Sequence, residues 1–230
     1  MPAIKLDGKA LADTIRCEIA AKVAERVANG QRKPGLAAVL VGDNPASRTY
    51  VRNKQKACSD VGFESWLHNL PGDAPQRDLL QLVARLNAEP EVHGILVQLP
   101  LPPQMDEKSI IEAIDPEVDV DAFHPENVGL LMAGHPRFYP CTPHGVVELL
   151  RRNNVEIAGK EVVIVGRSNI VGKPLAMMMV QKPTPVNPAA CDATVTVAHT
   201  KTPDLAAVCK RADILIAAVG KAGLITPEMV

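Results

Sequence analysis

Short apolar runs alternate with amphipathic stretches along the whole chain, and this alternation limits the possible folds more than any other feature. The runs LAAVLV, EVVIVG and DILIAAVG are each bounded by glycine, proline or polar residues, as expected for buried strands. Between them, apolar residues recur at helical spacing; from Leu11 to Val27, for example, every fourth residue is apolar. Strands and helices in this order predict an α/β fold whose parallel sheets are covered on both faces.

The order of the predicted elements divides the chain into two α/β domains. Strands are predicted at 36–41, 63–68, 93–103, 161–166, 193–198 and 213–220. Helices are predicted at 11–27, after the turn GDNPAS through about 60, at 79–86, 105–114 and 144–153, from about 172, and at 203–210. Residues 115–127 are polar and punctuated by proline, which predicts a connection. The Pro-rich stretch 182–191 is predicted to be a surface loop. We place the first domain at residues 1–121 and the second at 122–230.

Composition excludes several classes of function. The net charge is -1 with basic and acidic residues interleaved, which gives no reason to expect nucleic acid or an anionic membrane as partner. No apolar run approaches the ~20 residues that span a bilayer, and residues 1–13 lack a secretory signal pattern. Five cysteines without a CxxC pair and six histidines without ligand spacing predict reduced thiols in a cytoplasmic protein and no metal site.

The stretch EVVIVGRSNIVGKPLA is typical of a strand, a turn and a helix that together bind a nucleotide. The strand ends at Gly166 and the helix begins near Gly172, so helix amides are available for a pyrophosphate. Ser168 stands where a second glycine would be, and a plain α/β connection explains the stretch equally well. A guanidinium at Arg167 suits the extra phosphate of NADP, although a solvated surface arginine is the alternative.

The stretch PASRTYVRNKQKA places a phenol and an ammonium group on one helical face, because Tyr50 and Lys54 are four residues apart. Such a pair can stack on a ring and transfer a proton, whereas an ordinary helix with a solvated lysine is the alternative. Gln98 is an amide inside the apolar run GILVQLPLP, so it needs a partner or faces a cleft. Asp119 and Asp121 in DVDAF suggest a binding pair, a helix cap or a solvated turn.

Five motifs occur in one order: PASxxYVxxK, VHGILVQLPLP, DPxxDVDxFHPxNxGxL, PCTPxG and GRSxxVGxP. From Ile4 to Val230 the chain resembles the bifunctional methylenetetrahydrofolate dehydrogenase/methenyltetrahydrofolate cyclohydrolase family. The resemblance implies NADP-dependent oxidation of 5,10-methylenetetrahydrofolate, followed by hydrolysis to 10-formyltetrahydrofolate. It implies a role in one-carbon metabolism, which serves purine, histidine and methionine biosynthesis. It also implies a homodimer joined through the cofactor domains.

The resemblance assigns a role to each matching residue. Tyr50 stacks on the folate, Lys54 transfers the proton of the hydrolytic step, Gln98 hydrogen-bonds Lys54, and Asp121 accepts from the pterin N–H groups. In a Rossmann-like second domain, the NADP loop is matched by Gly166, Arg167, Ser168 and Gly172. Thr200 occupies a position where the family commonly has a serine near the NADP 2′-phosphate.

Two departures from the family pattern qualify these expectations. Ala122 replaces the glycine usual in DVDGF, which predicts a tighter loop around Asp121. Relatives continue beyond ITPEMV with a Pro-Gly-Gly segment, so the cofactor domain is expected to be incomplete relative to the family. The alternatives to an active enzyme are a truncated, catalytically impaired homologue that binds folate or nucleotide, and a different Rossmann dehydrogenase.

Overall fold

The computed structural model describes residues 3–230, and the chain divides into two compact units after Val120. Unit 1 contains α1 (Gly8–Ala28), β1 (Gly35–Val41), α2 (Pro45–Val61), β2 (Glu64–Leu70), α3 (Gln76–Asn87), β3 (Gly94–Val97) and α4 (Glu107–Ala113). Unit 2 contains α5 (Pro125–Met132), α6 (Cys141–Arg152), β4 (Glu161–Val165), α7 (Gly172–Val180), β5 (Thr194–Ala198), α8 (Leu205–Lys210), β6 (Ile214–Ala217) and a final 3-10 turn (Pro227–Met229).

Unit 1 is built on a parallel sheet of strand order β2-β1-β3. The central strand β1 is buried on both faces, and its alternate residues enter two different cores. Val39 packs into the larger core, which α3 and α4 complete, whereas Leu40 packs against Val51 of α2. The predicted parallel sheet with helices on both faces is confirmed for this unit.

The position of α2 follows from its two ends. The Asn44 side chain accepts hydrogen bonds from the backbone N–H groups of Ala46 and Ser47, at 3.0 and 3.2 Å. Pro45 then occupies the first helical position, where its missing N–H has no intrahelical partner to lose. At the other end Gly62 adopts a φ of +84°, a left-handed conformation that stops the helix. These signals fix which residues of α2 face the sheet.

Unit 2 repeats the architecture with strand order β5-β4-β6, again all parallel. Ile164 of β4 points into a core shared with α6 and α7, and Val165 points into a second core with Cys209 of α8. Residues 162–165 of this strand are all buried, which explains why they form an uninterrupted apolar run. None of the helices within residues 3–230 is both long and apolar enough to cross a bilayer.

The helices around the predicted connection differ from expectation. Pro125–Met132 forms α5, although part of it was predicted to be a connection and the rest received no element. His124 starts this helix, since its Nδ1 accepts from the Glu126 N–H at 3.1 Å. The next helix begins at Cys141, earlier than the predicted His144, because a proline in the first turn of a helix breaks no intrahelical hydrogen bond.

The prediction of a surface loop at residues 182–191 is wrong for the second half of that segment. Asn187, Ala189, Ala190 and Cys191 are all buried. The Tyr139 hydroxyl donates to Asn187 Oδ1 at 2.7 Å, and Asn187 Nδ2 donates to Gln181 Oε1 at 2.6 Å. Because the buried amide has partners on both sides, the loop can fold into the core without leaving polar groups unsatisfied.

Candidate functional site

Helix α2 presents Tyr50 and Lys54 one turn apart, as the helical spacing predicted. The Tyr50 ring is a large aromatic surface that remains 63% exposed. Lys54 is half-buried on the side of the helix that approaches the end of β3. An open aromatic face beside a sheltered ammonium group can hold a flat ring next to a proton-transfer group.

Gln98 lies one residue beyond the end of β3, rather than inside the strand. Its backbone N–H still donates to the Val39 carbonyl at 2.9 Å, which extends the sheet pairing to this residue. Its side-chain Nε2 donates to the Leu99 carbonyl at 2.7 Å, so Oε1 is the atom that accepts from Lys54 Nζ, at 3.4 Å. The amide is therefore oriented by its own backbone, and its contact to Lys54 Nζ lies at the long end of hydrogen-bond distances.

The two aspartates of DVDAF lie in different environments. Asp119 is 2% exposed, and its backbone pairs with Ile95 of β3, so it belongs to the edge of the unit 1 sheet. Asp121 is half-buried and opens unit 2. Each has interactions with its surroundings. Of the two, Asp121 has the more accessible carboxylate.

The backbone after Asp121 is strained and braced. Ala122 has a φ of +57° and is 2% exposed, so a buried non-glycine residue adopts the left-handed conformation. Farther along the chain, Arg137 binds the first turn of α5: its Nη1 donates to Asn127 Oδ1 and its Nη2 donates to Glu126 Oε1, both at 2.8 Å. Asn127 is fully buried. These contacts fix the first turn of α5, which begins four residues after Asp121.

In unit 2, Ser168 caps α7. Its Oγ accepts from the backbone N–H groups of Val171 and Gly172, at 3.1 and 3.3 Å. The sequence predicted that amides at this helix end would be free for a pyrophosphate. Ser168 Oγ already satisfies two of them, the Ser168 carbonyl accepts from the Lys173 N–H at 3.0 Å, and Pro174 has no N–H. The expectation of helix amides free for a pyrophosphate is therefore wrong for the first turn of α7, and it narrows to the backbone and side chains of the loop before the helix.

The two glycines of the loop permit close backbone packing. Gly166 has a φ of +131°, and a Cβ there would lie 2.2 Å from the Ala218 carbonyl oxygen. A Cβ at Gly172 would lie 2.3 Å from the Gly166 carbonyl oxygen. Both distances are far below any van der Waals contact, so β4, the loop, α7 and the end of β6 meet only because neither residue has a side chain.

The segments that follow β4 and β5 lie side by side. The parallel register pairs Val165 with Ala198, and the Gly166 N–H donates to the Ala198 carbonyl at 2.8 Å. Arg167 and Thr200 follow these residues and are exposed, and their side chains form no hydrogen bond or ion pair within residues 3–230. A guanidinium and a hydroxyl at the carboxyl edge of a parallel sheet fit a phosphate group of a dinucleotide.

His144 of the PCTP motif belongs to the supporting structure of unit 2. Its ring centroid lies 4.8 Å from that of Tyr139. Burial lowers the pKa of His144 most strongly, the charge on Glu148 opposes this shift, and Arg151 lowers the pKa further. Across residues 3–230, no three or more histidine, cysteine, aspartate or glutamate side chains are grouped so that they could hold a metal ion.

Sequence reasoning missed the capping role of Ser168 and the brace formed by Arg137. A serine shortly before an apolar helix is a recognised capping signal and could have been identified. The contact of Arg137 with Asn127 had no local signal, because it joins the region before α6 to the first turn of α5.

The family models for tetrahydrofolate dehydrogenase/cyclohydrolase match both units. The catalytic-domain model matches residues 6–121, and the NAD(P)-binding-domain model matches residues 140–230. Bifunctional protein FolD of Rhodopirellula baltica is 56% identical over 236 residues, which cover all of this chain and 79% of that protein. FolD of Geobacillus thermodenitrificans is 55% identical over 230 residues, which cover all of this chain and 78% of that protein.

Solved structures of the same family are also similar to this chain. A 5,10-methylenetetrahydrofolate dehydrogenase from the silkworm Bombyx mori is 43% identical, with a TM-score of 0.96 over 100% of this chain and 80% of that one. A Trypanosoma brucei dehydrogenase-cyclohydrolase, solved with NADP and an inhibitor, is 41% identical, with a TM-score of 0.92 over 100% of this chain and 76% of that one. The chain belongs to the tetrahydrofolate dehydrogenase/cyclohydrolase family.

Proposed function

We propose that the protein oxidises 5,10-methylenetetrahydrofolate to 5,10-methenyltetrahydrofolate with NADP, and then hydrolyses the product to 10-formyltetrahydrofolate. The observation that carries the proposal is the half-buried Lys54 ammonium facing the fixed amide of Gln98 on a helix that also carries Tyr50. Family membership supports the substrate class, and the Trypanosoma brucei relative binds NADP.

In the hydrolytic half, Lys54 is the proton-transfer group. Water adds to the methenyl carbon and gives up one proton, N5 takes a proton as its bond to that carbon breaks, and the second proton of the water is released as the C=O bond forms. The formyl group remains on N10. A cation next to an ammonium group favours the neutral amine, which can accept the proton from water. Gln98 positions the Lys54 nitrogen through the 3.4 Å contact.

Tyr50 and Asp121 bind the substrate in this proposal. The exposed Tyr50 ring offers a stacking surface for the flat parts of the folate. The Asp121 carboxylate accepts hydrogen bonds from the pterin N–H groups, which gives direction as well as affinity. The braced loop after Asp121 reduces the conformational freedom that is lost when the substrate binds.

NADP, when bound, accepts a hydride from the methylene carbon of the substrate. The glycines Gly166 and Gly172 shape the loop that would hold it, and Ser168 keeps the end of α7 in place. Arg167 and Thr200 would hold the 2′-phosphate. The residues present therefore fit the cofactor, and the contribution of the chain to this half is binding and orientation.

We also propose that the protein is a cytoplasmic homodimer joined through unit 2. The edge strand β5 supports the choice of surface, because its outer side lacks a sheet neighbour in unit 2 and Val197 is 38% exposed. Light scattering after size exclusion would give the mass of a dimer, and Val197→Lys would shift it toward the monomer. A monomeric wild-type protein would contradict this part of the proposal.

A spectrophotometric assay tests the activity. The purified protein is mixed with 5,10-methylenetetrahydrofolate and either NADP or NAD, and methenyltetrahydrofolate and reduced nicotinamide are followed together. We expect turnover with NADP, and we expect Arg167→Ala to raise the KM for NADP much more than the KM for NAD. Equal effects on the two cofactors would remove the phosphate-binding role of Arg167. A folded protein without turnover would defeat the proposed function.

A further inference from the structure

The side chain of Asn87 joins the ends of two helices in unit 1. Asn87 is the last residue of α3, and its Nδ2 donates to the carbonyl of Ala113, the last residue of α4, at 2.8 Å. Its Oδ1 accepts from the Asp115 N–H at 3.1 Å. The last carbonyls of a helix have no partner within that helix. The Asn87 amide therefore completes the end of α4 and also holds the chain that leaves it.

The chain after α4 folds into a turn that is built on Asp115. The Asp115 carbonyl accepts from the N–H groups of Val118 and Asp119, at 2.9 and 3.1 Å. Its Oδ1 accepts from the Glu117 N–H at 2.8 Å. Asp115 and Glu117 are exposed, so hydrogen bonds rather than core packing hold the start of the turn. Because Asn87 binds the backbone N–H of Asp115, it fixes where the turn begins.

The other end of the turn is fixed on the edge strand β3. The Ile95 N–H donates to the Val118 carbonyl at 2.7 Å. Val120 lies against Gly94, where a Cβ would be only 2.5 Å from Val120 Cγ1, so this packing requires a residue without a side chain. Asp121 is the next residue. The segment that leads to Asp121 is therefore held at two places, by α3 at its start and by β3 at its end.

We propose that Asn87, acting through Asp115, is a positioning residue for the Asp121 carboxylate. The inference rests on the proposed function, in which Asp121 accepts from the pterin N–H groups. Without the Asn87 amide, the first half of the segment loses its attachment to α3, and Asp121 loses more conformational freedom when it binds. Asn87 touches neither substrate nor cofactor. Its removal weakens folate binding and leaves NADP binding unchanged.

A double-mutant cycle with Asp121→Ala tests the positioning role. The Kd for 5,10-methenyltetrahydrofolate is measured at equilibrium in the wild type, in Asn87→Ala, in Asp121→Ala and in the double variant. We expect Asn87→Ala to weaken binding by about five- to twentyfold when Asp121 is present and by less than about twofold when it is absent, because residues that act through one group are not additive. The Kd for NADP stays at its wild-type value. Equal losses in the two backgrounds, or no loss in Asn87→Ala, would overturn the proposal.

Asp115 provides a second test of the same path. Asp115→Ala removes the Oδ1 acceptor of the turn and weakens folate binding in the same way, whereas Asp115→Asn retains an acceptor oxygen and restores most of the affinity. Asp115→Ala with wild-type affinity, or Asp115→Asn that binds as weakly as Asp115→Ala, would overturn the path through this residue.

Val83→Ala is the control for general destabilisation. Val83 lies on the same helix and is 0% exposed, so its truncation lowers the stability of unit 1 and leaves the folate Kd unchanged. A loss of folate binding in Val83→Ala equal to that in Asn87→Ala would show that Asn87 acts only through stability and would overturn its positioning role. Turnover by the wild type tests the proposed function separately, so the two failures are distinguishable.

Discussion

At the scale of single residues, the orientation of Gln98 is the feature most directly tied to the chemistry. Gln98→Glu removes the donation to the Leu99 carbonyl and places a carboxylate next to the Lys54 ammonium group. A carboxylate stabilises the protonated amine, so we expect hydrolysis of methenyltetrahydrofolate to fall by about tenfold or more and its pH–rate profile to move to higher pH. The measurement is the hydrolysis rate as a function of pH. The same change at exposed Gln31 should leave the profile in place, and an unshifted profile in the Gln98 variant would contradict the positioning role.

Ala122 stores strain in the loop that carries Asp121, with a φ of +57° in a buried position. Ala122→Val places a β-branched side chain in the left-handed region, and we expect it to lower the free energy of unfolding by about 2 kcal/mol or more. Ala122→Gly relieves strain of about 1 kcal/mol but adds a similar entropy cost in the unfolded chain, so its effect stays within about 1 kcal/mol. Urea denaturation measures both. Ala207→Val in α8 controls for β-branching, and equal losses at the two positions would contradict the account of strain.

His144 makes the stability of unit 2 depend on pH. Burial lowers its pKa below the ordinary value of 6.5, so the folded protein favours the neutral ring and the unfolded chain takes up the proton first. The contribution of His144 to the free energy of unfolding is therefore fully present above pH 6.5. It is lost as the pH falls below 6.5 toward the lowered pKa of the folded state. We expect His144→Gln to flatten the fall in unfolding free energy between about pH 7 and about pH 5. Half-buried His68 has a pKa that is lowered as well, mainly by burial, and should retain its share of the slope. An unchanged slope would contradict the role of His144.

At the scale of elements, the start of α7 combines a structural cap with the proposed cofactor loop. Ser168→Ala leaves the Val171 and Gly172 amides without their acceptor. We expect a loss of about 1 kcal/mol in unfolding free energy, the usual effect of removing a serine cap. We also expect a rise in the KM for NADP with a smaller change in the KM for folate. Thermal unfolding and steady-state kinetics provide the two measurements, and Ser168→Thr, which retains the hydroxyl, should restore most of both. Wild-type stability in Ser168→Ala would show that the cap is dispensable.

The elements that the sequence predicted well are those with a clear period. Strands β1, β3, β4 and β6 carried largely apolar runs, and α1 and α3 carried stripes at helical spacing, so the local pattern was sufficient for these elements. Helix α5 was missed because the polar and proline residues at its start resemble a loop, although Pro125 in the first turn favours a helix. The burial of Asn187 could not be foreseen, because its partners Tyr139 and Gln181 come from other parts of unit 2.

At the scale of the whole molecule, the sequence predicted only those parts of the candidate site whose residues belong to recognisable motifs. The spacing of Tyr50 and Lys54 follows from the helix, and the contact with Gln98 follows from parallel strand order once the fold is known. The left-handed backbone at Ala122 and the hydrogen bond from Asp115 to Asn87 depend on dihedral angles and on contacts between distant parts of the chain. Neither property leaves a periodic signal in the chain.

The proposed hydrolytic step depends on the amine of Lys54. The most direct measurement is the rate of methenyltetrahydrofolate hydrolysis by Lys54→Met, together with its affinity for the same compound. Methionine retains an unbranched side chain as far as Cε and removes the amine, so we predict a loss of about 100-fold or more in rate, within the range for a proton-transfer group, and a much smaller loss in affinity. A variant that hydrolyses the substrate at the wild-type rate would contradict the assignment.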